Sequence, residues 1–560
     1  MMESTQPAHT MWPWRASVAV AALLGLAATP GAHAATPCQS FLGAKYQSAT
    51  VTSAVSVPAG PLTLPNGTKV ANAPAFCKLG ILIAPTTDST INVDLWMPST
   101  TWNHRFLGMG NGGYAGDTQL FYPDMLFRLQ SGYAVAETDL GTAPSAQSNG
   151  QSLIGHPQKW IDFGYRATHL MTTVSQQFVS AFYGKPASRS YFSGCSTGGQ
   201  QALMEAQRYP ADYDGILGGD PAQNRTHVHT SILWNYRQLF AKPDSQLTPT
   251  QIQLVTNSVV AACAAGSGGL ASDPFLTDPR RCKWDPGVLQ CKSATGTNCL
   301  NADQVNAVRA LYNGPVDPRD GHQIFTGFVR GAENDGNFGL NNQQTQAEPE
   351  YDSLFYWVFG PSWNYRTFDF DQNMAEVDQL LAPILNANNA DLKSFQQAGH
   401  KFLAYHGWAD PLISPQDDID YYLRAVANRG SYAATQSFYR LFMVPGLGHC
   451  YQGAGPNTFG GVLQPTAGGA AEPGLPTDPA HDALGALVQW VEKGVAPTKI
   501  IATKYNGDAV AGGVAMTRPL CPFPQVPHYK GVGPTTDAAS FDCVVDDSTN
   551  NQTEAPEYLH

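Results

Sequence analysis

Ser196 lies in Gly194-Cys195-Ser196-Thr197-Gly198, a G-x-S-x-G spacing. The apolar, β-prone Ser190-Tyr191-Phe192 precedes it, and the helix-like Gln200-Gln201-Ala202-Leu203-Met204-Glu205-Ala206 follows. Strand, sharp turn and helix make a nucleophile elbow, in which glycines leave room that a Cβ would fill and the serine Oγ projects above a sheet. An ordinary Gly-rich turn fits the same five residues. A serine hydroxyl needs a base to take its proton, and the base needs an acid to orient it. Behind an elbow the chain order is Ser, then Asp or Glu, then His.

Asp410 is the candidate acid, in Ala404-Tyr405-His406-Gly407-Trp408-Ala409-Asp410-Pro411, a strand running into a loop. Its alternative use is to cap a helix beginning near Pro415. His449 is the candidate base, in Met443-Val444-Pro445-Gly446-Leu447-Gly448-His449-Cys450. His406 competes with it, but stands four residues before the acid, at the strand end. Cysteine placement selects His449: Cys195 directly precedes Ser196, and Cys450 directly follows His449. A Cys195–Cys450 disulfide would hold the Ser196 and His449 Cα atoms within roughly 14 Å, close enough for their side chains to meet.

The elements that must carry these residues read as an α/β fold. Ile91 to Met97, Arg105 to Met109 and Tyr133 to Thr138 are strand-like, and Asp162 to Phe182 has helical spacing. Gly215 to Gly219 is a further strand, followed by Asp220-Pro221. Alternating strand and helix predicts a mostly parallel sheet. The alternation stops near Asn224 and resumes at His400, with helices over Gln416–Asn428 and Ala480–Lys493 and strands over Phe438–Val444 and Ile500–Tyr505. Residues 35–223 and 397–560 are therefore expected to form the catalytic domain, and 224–396 an inserted lid large enough for a domain of its own. Pro37 to Ala84 reads as irregular β structure.

Composition narrows the class. The chain has 560 residues, 14% charged, with a net charge of −12, and no Lys/Arg cluster that phosphates would need, which argues against nucleic acid. Residues 1–34 read as a signal peptide: Arg15, an apolar Val18 to Leu26 too short to span a bilayer, and Ala32-His33-Ala34 as cleavage site. The mature protein is expected to be secreted or periplasmic, with no membrane segment. Ten cysteines in an oxidising compartment suggest five disulfides, with the pairing left open by the sequence. Asn66, Asn224 and Asn551 begin glycosylation sequons.

At Cys195-Ser196, Asp410 and His449-Cys450 the chain resembles the tannase and feruloyl esterase family, which includes the hydrolase of mono(2-hydroxyethyl) terephthalate. Gly108-Met109-Gly110-Asn111-Gly112-Gly113-Tyr114, Gly219-Asp220-Pro221-Ala222 and Arg518-Pro519-Leu520-Cys521-Pro522 extend the likeness, which runs from about Cys38 to Cys543. The resemblance implies an α/β-hydrolase core under a lid, and hydrolysis of small esters of hydroxycinnamic or gallic acids through an acyl-enzyme. It implies an oxyanion hole from the amides of Thr197 and Gly112, with Gly113 as fallback, although Gly110 to Gly113 also fits a plain tight turn. By analogy the remaining bridges are Cys38–Cys77, Cys263–Cys282, Cys291–Cys299 and Cys521–Cys543.

The family's lids usually bind calcium through Asp at the first, fourth and eighth positions after the first lid cysteine. Here those positions hold Ala264, Ser267 and Ala271, so no metal and no cofactor are expected. Asp273, Asp278 and Asp285 offer only a displaced set. Lid aromatics (Trp234, Tyr236, Tyr356, Trp357, Phe359, Trp363, Tyr365) could stack on a phenolic ring or simply pack a core. A terephthalate monoester would favour a lid arginine such as Arg330 or Arg366. A peptidase and a non-catalytic exported binding module are the rival classes.

Overall fold

The computed structural model describes residues 36–292, 298–464 and 474–546. Residues 1–34, read above as a signal peptide, and the Asn551 sequon lie outside the described residues. Ten strands form one sheet: β1 (Lys45–Tyr46), β2 (Ala49–Val57), β3 (Phe76–Ile83), β4 (Ile91–Pro98), β5 (Arg105–Met109), β6 (Ala134–Thr138), β7 (Arg189–Cys195), β8 (Gly215–Gly219), β9 (Lys401–Gly407) and β10 (Tyr439–Val444). Their spatial order is β1-β2-β3-β4-β6-β5-β7-β8-β9-β10. From β6 to β10 neighbours are parallel, and from β1 to β4 antiparallel, as is the β4–β6 seam.

The central strands are buried on both faces, and their sequences are correspondingly apolar without interruption, as in Ala134-Val135-Ala136 and Tyr191-Phe192. Pro37 to Ala84 is more ordered than expected. Cys77, Leu79, Ile81 and Ile83 alternate with less buried neighbours along β3, the pattern of a half-buried antiparallel strand, which the surrounding Ser, Thr and Pro obscured. Ile500–Tyr505 is a strand, but it pairs with Val514–Leu520 in a separate hairpin.

Helices cover both faces of the sheet: α1 (Tyr122–Gln130), α2 (Ala167–Tyr183), α3 (Thr197–Arg208), α4 (Arg225–Leu239), α5 (Pro249–Cys263), α6 (Ala302–Asn313), α7 (Gln372–Leu385), α8 (Pro415–Arg429) and α9 (Ala483–Lys493). α2 continues from a π-turn over Asp162–Arg166 and stops at Gly184, whose φ of 70° is left-handed. None of the described helices is long and apolar enough to cross a membrane.

The insert leaves the sheet after β8 and returns in β9, its parallel neighbour. Its two halves pack differently. The first, with Ile252, Val255, Val259, Val305 and Val308, builds a core of its own. The second, with Leu354, Phe355, Trp357, Val377 and Leu381, joins the core of the sheet and α2. Asn224, where the insert begins, is fully buried and accepts hydrogen bonds from Asn386 and Asn388, so its sequon is closed to a glycan. Asn66 is exposed.

All ten cysteines are bridged: Cys38–Cys77, Cys195–Cys450, Cys263–Cys282, Cys291–Cys299 and Cys521–Cys543. These are the pairs the resemblance implied, and five of them fit a protein of an oxidising compartment.

A buried ion pair joins distant parts of the chain. Arg128 of α1 donates to Asp482, the N-cap of α9, at 2.8 Å, with residue exposures of 6% and 2%. Removing one partner strands the other charge in the core, at a cost of about 3–5 kcal/mol. Arg128→Met should therefore lower stability by roughly that amount in urea unfolding, and adding Asp482→Asn should recover much of the loss. A single variant within about 0.5 kcal/mol of wild type would show the pair to be inert.

Candidate active site

The elbow forms because no side chain stands where backbone must pass. A Cβ on Gly194 would meet the Gly198 carbonyl oxygen at 2.5 Å, and one on Gly110 would meet the Gly198 Cα at 2.6 Å. Ser196 takes φ 64° and ψ −120°, a left-handed conformation that is strained for a residue with a Cβ. Hydrogen bonds hold it there: Ser196 N–H donates to the Gly219 carbonyl at 3.0 Å, and Gly198 N–H to that of Asn111 at 2.7 Å. The serine is half-buried at the start of α3.

Asp410 and His449 follow β9 and β10, so all three residues stand beyond the C-terminal ends of parallel strands, where ligands of open α/β sheets bind. Ser196 Oγ lies 2.9 Å from His449 Nε2, and His449 Nδ1 lies 2.7 Å from Asp410 Oδ2. The other Asp410 oxygen accepts the Leu412 and Ile413 amides at 2.8 and 2.9 Å. Asp410 thus caps its own turn while orienting the histidine, and Ser414 occupies the N-cap of α8. Cys195 and Cys450 bring their Cα atoms to 5.9 Å across 255 residues of sequence.

His406 lies behind this chain. It is fully buried, and both ring nitrogens face acceptors: Nδ1 the Asp418 carboxylate at 3.3 Å, Nε2 the Ile413 carbonyl at 3.2 Å. Two acceptors require two N–H groups, so the ring is an imidazolium. Asp410 and Asp220 stand 3.5 and 3.7 Å from Nε2. Burial alone would lower its pKa, but these carboxylates hold it well above the ordinary value. His406 therefore backs the acid and does not approach the serine as its base. Asp220 accepts the Gly407 and Cys450 amides at 2.6 and 2.9 Å, fixing the loops of acid and base together. Asp220 was visible in the sequence only within the Gly219-Asp220-Pro221-Ala222 match, with no role attached.

Burial alone would raise the Asp410 pKa, yet the adjacent His449 and His406 hold it well below the usual carboxylate range. For His449, burial favours the neutral ring, but Asp410 and then Asp220 outweigh it, so its pKa is raised.

The amides of Thr197, Gly112 and Gly113 make no hydrogen bond to the described residues. Asn111 N–H donates to Gln201 Oε1 at 2.9 Å, seating the glycine loop on α3. The two expected oxyanion donors therefore lie on touching segments, with their N–H groups uncommitted.

Other expected residues are placed elsewhere. Tyr236, Tyr356, Trp357 and Tyr365 are buried in packing contacts, with Trp234, Phe359 and Trp363 packed against the core. One ring beside the triad is Phe338, set nearly perpendicular to the His449 ring at a centroid distance of 5.2 Å. It lay in Asn-, Asp- and Gln-rich sequence with no periodicity to mark it. Arg330 lies over Tyr312 and donates to the Trp284 carbonyl, and the exposed Arg366 lies over Tyr365; neither has a hydrogen bond or ion pair with a triad residue among the described residues.

The loop after Cys263 does not fit calcium. Ser267 donates to the Ala264 carbonyl and accepts the Thr277 amide. Asp273 pairs with Arg518 at 2.7 Å, Asp278 with Arg280 at 2.7 Å and Asp285 with Arg309 at 2.6 Å, so guanidinium groups already answer these carboxylates.

Residues 77–544 match the family model described as tannase and feruloyl esterase. An uncharacterized esterase of Xanthomonas campestris pv. campestris is 36% identical over 555 residues, covering 94% of each chain. A probable feruloyl esterase B-2 of Aspergillus terreus is 32% identical over 478 residues, covering 84% of this chain and 86% of its own. The crystal structure of feruloyl esterase B from Aspergillus oryzae superposes with a TM-score of 0.80 at 28% identity, covering 91% of this chain and 99% of that one.

A raised His449 pKa keeps the ring protonated, and unable to accept a proton, to higher pH than a free imidazole. The acid limb of kcat/KM should therefore lie above about 6.5, the ordinary imidazole value. Asp410→Asn removes the stabilising charge, so the limb should move to lower pH while kcat falls by about 10⁴. A limb that stays in place in the variant would show that Asp410 does not set the histidine's charge.

Proposed function

The chain belongs to the tannase and feruloyl esterase family and is a carboxylic ester hydrolase, and from that premise we propose that it is an exported serine esterase releasing hydroxycinnamic or gallic acids from their esters. The observation that carries the mechanism is the unbroken hydrogen-bonded chain from Ser196 through His449 to Asp410. Ser196 Oγ attacks the ester carbonyl carbon, forming the C–O bond as its proton passes to His449 Nε2. The carbonyl π electrons move onto oxygen, where the amides of Thr197 and Gly112 receive the oxyanion. Collapse expels the alcohol, to which His449 returns the proton. Water repeats the sequence on the acyl-enzyme and frees the acid. Asp410 keeps the imidazole in the required tautomer and stabilises its charged form.

No step needs a metal or a cofactor. The names of the relatives favour phenolic acids, and Arg330 and Arg366, the two arginines named for a terephthalate monoester, are engaged with Tyr312, Trp284 and Tyr365. Five bridges support an oxidising compartment and so agree with export.

Initial rates on methyl ferulate, methyl gallate, chlorogenate and mono(2-hydroxyethyl) terephthalate test this reading. Preference for a phenolic ester, unchanged by EDTA and abolished in folded Ser196→Ala, is the expected result. Turnover of the terephthalate ester alone would overturn the substrate class, and an active Ser196→Ala enzyme would overturn the mechanism.

A further inference from the structure

Arg225 begins α4, the first helix of the insert, and is only 2% exposed. No carboxylate among the described residues pairs with it. Its Nε donates to Gln200 Oε1 at 2.9 Å and its Nη2 to Thr197 Oγ1 at 2.6 Å, and its guanidinium lies 4.8 Å from the centre of the Phe163 ring. Burial pushes its pKa down to about 10, so it is still charged at neutral pH. A buried cation with only neutral partners is costly, and a protein that needed only the packing could hold that space with an apolar side chain.

The surroundings say what the charge does. Thr197 Oγ1 also lies 2.7 Å from the Gly113 carbonyl. A carbonyl only accepts and a guanidinium only donates, so the hydroxyl proton must point at Gly113 while its lone pair receives Arg225. The chain Arg225, Thr197, Gly113 has a single possible direction. It joins the elbow to the glycine loop, the two segments whose free amides stand at Thr197 and Gly112. The bond to Arg225 polarises the hydroxyl and strengthens its hold on the loop. Substrate cannot reach a side chain so enclosed, so Arg225 acts through its neighbours.

We propose that Arg225 is a positioning residue for ester hydrolysis: through Thr197 Oγ1 it locks both halves of the oxyanion hole together and places a positive charge behind them. The proposal rests on the serine mechanism above. It assigns the guanidinium to the transition state, where a full negative charge appears, and not to the neutral ester.

The test compares Arg225→Met, Thr197→Val and Thr197→Ser with wild type on p-nitrophenyl acetate, whose small acyl group makes no demand on an aromatic pocket. Affinity for phenylboronic acid is measured alongside. Ser196 Oγ adds to its boron, the displaced proton goes to His449, and the boron becomes tetrahedral and anionic with no group expelled. Arg225→Met and Thr197→Val should each lower kcat by about 10- to 100-fold with KM within about twofold, and weaken the boronate by the same factor. Thr197→Ser, which keeps the hydroxyl, should lose at least tenfold less of each than Thr197→Val. An unchanged kcat, or a fall in kcat without matching loss of boronate affinity, would overturn the proposal. Should Arg225→Met not fold, Thr197→Val carries the same comparison with the guanidinium in place. The two readings fail separately: a wild type that turns over p-nitrophenyl acetate but no phenolic ester sinks the substrate class, whereas boronate affinity unmoved in the variants sinks the role of Arg225.

Discussion

The bridge between Cys195 and Cys450 is the constraint on which the rest depends. A strained elbow and the loop after β10 that carries His449 each have many ways to relax, and the cysteines that join them are 255 residues apart. Closing so long a loop removes denatured-state freedom equivalent to about 5 kcal/mol in the chain-entropy model. More important is where the bond sits. Each sulfur belongs to the immediate neighbour of a residue in the hydrogen-bonded Ser196–His449 pair, so the separation of the two is fixed at its nearest backbone points. The insert can then vary in size between β8 and β9 without moving them.

A covalent bond fixes distance but not orientation, and orientation comes from buried carboxylates. Asp220 ties the Cys450 amide to the Gly407 amide, and so ties the loop after β10 to the end of β9. Asp410 spends one oxygen on its own turn and the other on His449. Three carboxylates so close would repel one another, and His406, donating to Asp418 and lying beside Asp220 and Asp410, is the cation that permits the cluster. Neutralising His406 would leave Asp410 facing like charge on both sides.

How much of this was legible in the sequence depended on range. The elbow, the late positions of Asp410 and His449, and the parallel strands around them follow from local pattern. The flanking cysteines supplied a long-range contact that single sequences rarely reveal. Asp220 and His406 gave no such mark, because the buried charge cluster is assembled from two loops, a strand end and a helix with no common spacing. Phe338 was hidden for the same reason. The lid aromatics were open to two uses in the sequence, stacking on a phenolic ring or packing a core, and Trp357, Tyr236 and Tyr365 take the second, welding half the insert to the sheet. β3 read only as part of irregular β structure because half-buried alternation is a weaker signal than the solid apolar runs of the central strands.

The two sides of the serine differ in electrostatic character, and the difference has a direction. On one side stand Asp410, Asp220 and Asp418 around a single imidazolium, a net negative environment. On the other stands Arg225, a cation without a carboxylate, behind two uncommitted amides. On the proposed mechanism, acylation creates a positive charge on His449 and a negative charge on the carbonyl oxygen at once. The fixed charges are already arranged to receive each on its own side, so little need reorganise as the pair forms. Such an arrangement must be built from buried groups, since exposed charges would be screened. On that mechanism both costly features of the fold have a use, a sealed imidazolium behind Asp410 and a sealed guanidinium behind the amides of Thr197 and Gly112. Each would be a liability in a structural core, and here each stands where the reaction generates the opposite charge or needs its partner held ionised.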